Sequence, residues 1–318
     1  MKKINAVIVT YNRKELLAEC LIAVINQSYE INKIFVIDNA STDGTKEWIN
    51  EEYASSDKIK LLSLTKNYGG AGGFYYGIRQ AFLDGCDWVW AMDDDTIPLP
   101  NSLEELISAR EVINGTISFL ASAVYGPEGE PMNVPTVSES VAKNGYKDWY
   151  YYLNDSIVKI DSATLVSLLI NSNAIKEFGA PHPGFFIWGD DSEYTLRLTR
   201  NYGPAYFVGK SRVLHKRFGA KNLSMIDEDN KNRLNLYYHL YTNRMVVFHS
   251  YYPLKSRIRL RKNMIMEMVR ILFSHRKHKT KKIFTILKGW KNYILGQYGK
   301  KEYVSRFDNV KRDYLGED

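Results

Sequence analysis

At 318 residues, 45% hydrophobic and 25% charged, the chain is long enough for one large α/β domain plus an appendage and has an ordinary globular composition. Cys20 and Cys86 have no metal or redox spacing, and no run of about 18 apolar residues occurs, which argues against a disulfide scaffold and against a membrane span. The net charge of +7 is uneven: residues 255–318 hold 18 Lys and Arg against 6 Asp and Glu, and residues 1–254 hold 25 against 30, an asymmetry that points to an anionic membrane surface or nucleic acid.

Ile4 to Thr10 reads as a first strand rather than a signal peptide, because its apolar run is short and flows into Tyr11-Asn12-Arg13. Arg13 to Asn26 has helical apolar spacing, with Leu16, Leu17, Cys20, Leu21 and Val24 on one side. Ile34 to Ile37 is a second strand, followed by the polar turn Asp38-Asn-Ala-Ser-Thr-Asp-Gly44 and a helix from Thr45 to Tyr53. Ile59 to Leu64 is a third strand. It runs into Asn67-Tyr-Gly-Gly-Ala-Gly-Gly73, and a helix then continues to about Leu83. Trp88 to Met92 is a fourth strand, ended by Asp93-Asp94-Asp95, with Pro98 and Pro100 preventing its continuation. Strands alternating with helices imply a doubly wound, mostly parallel, Rossmann-like sheet, in which ligands sit beyond the carboxyl ends of the strands. Four polar turns lie at those ends.

Leu103 to Val112 is a further helix and Phe119 to Tyr125 a further strand. Residues 126–157 read as an irregular insertion, either a lid on the acceptor side or a long surface loop. A strand falls within Ile160 to Ser172, and Asn173 to Phe178 is a short helix. An aromatic strand from Phe185 to Trp188 then delivers Asp190, Asp191 and Glu193 to a helix start, and Val208 to Leu214 is a strand ending at His215. The division expected is residues 1–230 as the catalytic domain and 231–318 as a basic helical C-terminal region. In that region Ile265, Met268, Val269 and Leu272 share one helical face, and Ile283, Ile286, Leu287, Trp290 and Ile294 another. Basic amphipathic helices suit an anionic membrane surface, or else pack on the body or on a second subunit.

Three adjacent carboxylates repel, at about 4 kcal/mol per pair for a 4 Å separation and an effective dielectric of about 20. Solvent, a proton or a cation relieves that strain. Asp93 and Asp95, two residues apart on an extended segment, make an oxygen clamp suited to a hard divalent ion.

The motifs resemble those of the family 2 inverting glycosyltransferases with the nucleotide-sugar-binding GT-A fold. The resemblance covers about residues 4–250 and rests on Val9-Thr-Tyr-Asn-Arg13, Ile37-Asp-Asn-Ala-Ser-Thr-Asp-Gly44, Asn67-Tyr-Gly-Gly-Ala-Gly-Gly-Phe74, Met92-Asp-Asp-Asp-Thr96 and Trp188-Gly-Asp-Asp-Ser-Glu-Tyr194 in this order. The Asp triplet with Trp-x-Asp-Asp-x-Glu-Tyr is most similar to the bacterial galactofuranosyltransferases, which use UDP-galactofuranose. The resemblance implies that Asp93, Asp95 and His215 hold Mn²⁺ or Mg²⁺, and that Asp94 faces the ribose or sugar. It implies Asp191 as catalytic base, with Asp190 and Glu193 beside it on acceptor or donor hydroxyls. Thr10, Arg13, Asp38 and Asn39 would meet the uridine, and Asn67, Gly69 and Gly70 would border the donor. Many members have Asp where Asn39 stands, which leaves uracil and thymine both open. Trp188 either stacks on a sugar or packs in the core.

The expected partners are a UDP-sugar donor, a lipid-linked saccharide acceptor, an anionic membrane surface and a second copy of the chain through the C-terminal helices. Nucleic acid is not expected, since the aromatics and charges of the tail follow helical faces and match no RNA-binding motif. The expected location is the cytoplasm, peripheral on the inner face of the plasma membrane. The alternatives are a rhamnosyltransferase using dTDP-rhamnose and, from another class, a non-catalytic nucleotide-sugar or nucleic-acid binding protein.

Overall fold

The computed structural model describes residues 1–217 and 223–296. Residues 297–318, the end of the expected C-terminal region, lie outside the described residues. The chain divides into two compact units: described residues 1–183 with 194–217, and described residues 184–193 with 223–296.

In the first unit the order is β1 (Ile4–Thr10), α1 (Lys14–Ile25), β2 (Lys33–Asp38), α2 (Thr45–Glu52), β3 (Ile59–Ser63), α3 (Gly69–Leu83), β4 (Trp88–Asp93), β5 (Thr96–Pro98), α4 (Ser102–Val112), β6 (Phe119–Tyr125), β7 (Pro131–Met132), β8 (Thr136–Val137), β9 (Ile157–Ser162), β10 (Leu168–Asn171) and α5 (Ser172–Phe178). After α6 (Asp190–Asn201), whose first turn belongs to the second unit, comes β11 (Ala205–His215). The sheet runs β3-β2-β1-β4-β10-β6-β11-β9-β8, with β5 on β11 and β7 on β6. Every residue of β1 is buried, as expected of a strand covered on both faces.

The sheet is mixed. β3, β2, β1 and β4 are parallel, but β10 is antiparallel to both β4 and β6, and β9 to β11. In-register pairing sets Thr10 beside Asp38, Asp38 beside Ser63, and Val9 beside Asp93, so one rim gathers the polar strand ends.

The glycine run is not a loop before a helix, as the sequence suggested, but the first turns of α3 itself. A Cβ at Gly73 would overlap Val9 Cγ1, and one at Gly77 would overlap Val7 Cγ1. These glycines let α3 lie directly on β1.

β4 ends at Asp93, as expected, and a separate short strand follows: Thr96, Ile97 and Pro98 form an antiparallel ladder with His215, Leu214 and Val213. Pro98 is tolerated at the end of so short a strand. The two cysteines also differ, Cys20 being buried and Cys86 only partly so.

The second unit contains α7 (Lys231–Leu234), α8 (Tyr237–Tyr251), α9 (Leu254–Phe273) and α10 (Lys279–Ile294). Leu234, Tyr237, Leu240, Tyr241, Met245, Met264, Ile271 and Ile286 form its core. On α9 the buried positions are Met264 and Ile271, whereas Ile265, Val269 and Leu272 are exposed. None of the described helices is long and apolar enough to cross a membrane.

Candidate active site

The short β5–β11 ladder builds the acidic cluster. Pairing Thr96 with His215 brings the imidazole against the residue before Thr96, and the Lys216 amide donates to the Asp95 carbonyl at 2.8 Å. Ligand atoms of Asp93, Asp95 and His215 all lie within 4.8 Å of one another. His215 Nε2 is 3.1 Å from Asp95 Oδ1. Among the described residues that oxygen is buried with no donor aligned on it. Two carboxylates and an imidazole with an orphaned oxygen between them fit a divalent ion of the Mn²⁺ or Mg²⁺ kind. The nitrogen donor suits Mn²⁺ better.

Arg13 and Thr10 converge on the same triplet. Arg13 Nη1 donates to Asp94 Oδ1 at 3.2 Å and Asp95 Oδ2 at 2.8 Å, and Thr10 Oγ1 donates to Asp94 Oδ2 at 2.7 Å. Burial pushes the Asp94 carboxyl up to about 6, against the pull of Arg13 and Thr10. Burial acts the same way on Asp95, but the His215 ring and Arg13 outweigh it and hold Asp95 below the ordinary carboxylate range. One guanidinium against three carboxylates leaves negative charge for a cation to offset.

The neighbouring rim is held by amides. Asn39 Nδ2 donates to the Gly69 carbonyl at 2.8 Å, and its Oδ1 accepts from the Tyr68 amide at 2.9 Å. Asn39 is buried, and it ties the end of β2 to the start of α3. Asn67 Oδ1 accepts from the Gly69 amide at 2.7 Å, and Gly69 has φ +73°, a backbone state that glycine adopts without penalty. Gly70 has open space at its Cβ position. Asp38 Oδ1 accepts from the Ser41 amide at 2.9 Å. The structure thus brings Asp38, Asn39, Asn67 and Gly69 together through backbone hydrogen bonds, and Thr10, Arg13, Asp93, Asp94, Asp95 and His215 through charge.

In the second unit the expected aromatic strand before Asp190 is absent. Phe186, Trp188 and Gly189 have φ of +61°, +62° and +96°, left-handed values that no strand contains. The segment is a kinked turn, and α6 starts at Asp190. This places Asp190, Asp191 and Glu193 in one helical turn, where the dipole favours negative charge. Burial first, then repulsion from Asp191, pushes Asp190 up to about 8. Burial also raises Asp191, but the Ser192 amide donates to its Oδ1 at 2.7 Å and supports its charged form. Burial thus favours a proton on this pair, and the Ser192 amide favours charge on Asp191. Trp188 packs edge-on against Tyr237 at 4.9 Å between ring centroids and borders the helical core.

Three residues near these acids escaped sequence reasoning. Asn133 Oδ1 lies 3.0 Å from His215 Nδ1. Asn243 Nδ2 donates to the carbonyls of Phe185, Ile187 and Trp188 at 2.9, 3.2 and 2.8 Å. Tyr251 donates to Glu193. Each partner is at least 55 residues away in sequence, so no local spacing announces it.

The model for glycosyl transferase family 2 matches residues 6–162. Over 203 residues the chain is 29% identical to galactofuranosyltransferase GlfT1 of Mycolicibacterium smegmatis, an alignment covering 63% of this chain and 66% of that protein. The chain thus spans just under two thirds of that relative's length. The fold is similar to S. aureus TarS 1-349 in complex with UDP, with a TM-score of 0.52 at 15% identity, over 90% of this chain and 70% of that chain. It is also similar to GalNAc-T7 with UDP, GalNAc and Mn²⁺, with a TM-score of 0.55 at 16% identity, over 83% of this chain and 55% of that chain. Both are similarities of fold, a mixed and mostly parallel GT-A sheet flanked by helices. Motif order, sheet topology and the matched segment agree: through residues 6–162 the chain is similar to glycosyl transferase family 2.

Proposed function

We propose that the chain is a metal-dependent inverting glycosyltransferase. It moves galactofuranose from UDP-galactofuranose to a hydroxyl of a lipid-linked oligosaccharide in the synthesis of a bacterial surface polysaccharide. The observation that carries this reading is the cluster of Asp93, Asp95 and His215 at the rim of a GT-A sheet. The galactofuranosyltransferase named above supports the choice of sugar, and the two nucleotide complexes support a UDP donor.

In this reading Asp93, Asp95 and His215 hold the ion, which when bound offsets negative charge on the departing diphosphate. Thr10, Arg13 and Asp38 border the uridine side of the donor, with Asn39 and Asn67 fixing the turn around Gly69 and Gly70. Arg13 also holds Asp94 and Asp95 in place. The acceptor oxygen bonds to the anomeric carbon on the face opposite the nucleotide. The bond from that carbon to the diphosphate oxygen breaks, with its electron pair leaving on UDP, and the hydroxyl proton passes to Asp191. Asp190, in its protonated form, donates a hydrogen bond to a sugar hydroxyl, and Glu193 accepts one.

A lipid-linked acceptor puts the enzyme at the anionic inner face of the plasma membrane. Leu254, Ile258, Ile265, Val269 and Leu272 form an exposed apolar stripe on α9 beside the exposed cations Arg261 and Lys262, a pattern suited to such a surface.

Asp191→Asn tests the catalytic assignment. Transfer should fall by about 10²–10⁴, the usual worth of a general base, while UDP binding stays unchanged. Equal loss of both would overturn the assignment.

A further inference from the structure

The irregular stretch between β6 and β9 contributes one side chain to the acidic cluster, and its chemistry is directional. Asn133 follows β7, whose Met132 pairs with Val124 and packs against Val124, Val166 and Val213. Val213 lies two residues before His215 on β11, so the packing of Met132 anchors the backbone beside the imidazole. Asn133 itself has φ +49°, a left-handed state that asparagine accepts more readily than most residues. That conformation turns its amide onto the ring, with Oδ1 3.0 Å from Nδ1.

An amide oxygen only accepts, so with Oδ1 facing the ring the contact is a hydrogen bond when Nδ1 carries the proton. In the neutral ring Nε2 then holds a lone pair. It faces Asp95 Oδ1 at 3.1 Å, and that buried oxygen has no aligned donor among the described residues. Without an ion a second ring proton on Nε2 meets that oxygen; with one, the Nε2 lone pair and Asp95 Oδ1 face the cation together.

We propose that Asn133 is a positioning residue for the metal: it fixes His215 as the Nδ1–H tautomer and aims Nε2 at the ion shared with Asp93 and Asp95. This rests on the metal reading given above. It also assigns a task to the insertion, which supplies the outer partner of a ligand borne by the sheet.

The test is a titration of the full chain with Mn²⁺, with and without UDP, following unbound Mn²⁺ by electron paramagnetic resonance. Asn133→Gly keeps the left-handed backbone available and removes the amide. It should weaken Mn²⁺ binding by about 10–100-fold, the usual effect of deleting an outer-shell partner. Asn133→Asp keeps an accepting oxygen and should bind Mn²⁺ close to wild type. Wild-type affinity in Asn133→Gly would overturn the proposal. So would an Asn133→Asp variant as weak as Asn133→Gly, because the amide would then be acting as a donor and the ring would be the other tautomer. Nitrogen NMR of the His215 ring adds a reading that simple destabilisation would not move: Nδ1 protonated in wild type and in Asn133→Asp, and a tautomer mixture in Asn133→Gly. If wild-type protein bound no divalent ion while the ring was still the Nδ1–H form, the metal reading would fail and the positioning role with it. If wild type bound the ion and Asn133→Gly matched it, only the positioning role would fail.

Discussion

The hydroxyl of Tyr251 donates a hydrogen bond of 2.7 Å to Oε1 of Glu193, joining the last residue of α8 to the first turn of α6. Glu193 is fully buried, so its carboxylate depends on such donors. Asn243, two turns earlier on α8, holds the kinked turn just before the same acids. The C-terminal helices thereby shape the acidic turn.

Removing the Tyr251 hydroxyl takes one donor from a buried carboxylate, a loss of about 1.5–3 kcal/mol for a hydrogen bond to a charged group. If Glu193 meets the acceptor, Tyr251→Phe lowers kcat by about tenfold or more and leaves UDP affinity unchanged. Steady-state kinetics beside calorimetry decide it. A fall in UDP affinity with kcat retained would contradict the assignment.

Asn243→Asp keeps the shape but removes the amide protons that bind three backbone carbonyls. Leaving buried acceptors unmet costs about 1–3 kcal/mol each at most, so urea unfolding should show a loss of that order. A variant as stable as wild type would mean that the kink at Phe186 and Trp188 holds itself.

The buried acid pair predicts a pH dependence of stability. Asp190 is raised to about 8, so the folded state binds its proton more tightly than the unfolded chain does. Its contribution is fully present below about pH 4 and is lost as pH rises through about 8. Asp190→Asn, neutral throughout, should therefore gain in melting temperature over wild type as pH goes from 5 to 9. A difference independent of pH would show that burial does not hold the proton there.

Gly73 and Gly70 separate packing from ligand approach. Gly73→Ala drives a methyl into Val9 and should cost about 1–3 kcal/mol by thermal melting. Gly70→Ala meets open space, so stability should hold while UDP affinity falls if the donor runs along this turn. The opposite pattern would remove Gly70 from the donor site.

Much of this was readable in the chain because parallel strands are continuous apolar runs that stop abruptly. Ile4–Thr10 and Trp88–Asp93 need no partner to be recognised, and the acids at their ends follow from position alone. Thr96–Pro98 was hidden because three residues carry no periodicity, and its pairing with β11 depends on a partner more than 100 residues away. Phe185 to Trp188 misled because its apolar run matches a strand in composition, whereas left-handed backbone at Phe186 and Trp188 is sustained by Asn243 from a distant helix. The start of α3 at Gly69 was hidden because composition does not separate a glycine that admits a ligand from one, such as Gly73, that admits Val9.

The central claim is that the acidic rim binds a nucleotide diphosphate together with a metal ion. The most direct measurement is calorimetric titration of the purified chain with UDP and with dTDP, each with and without Mn²⁺. Binding of UDP that requires Mn²⁺, exceeds that of dTDP and is lost in Asp95→Asn is the result expected. Binding of UDP with equal strength in the absence of metal, or of neither nucleotide, would contradict it.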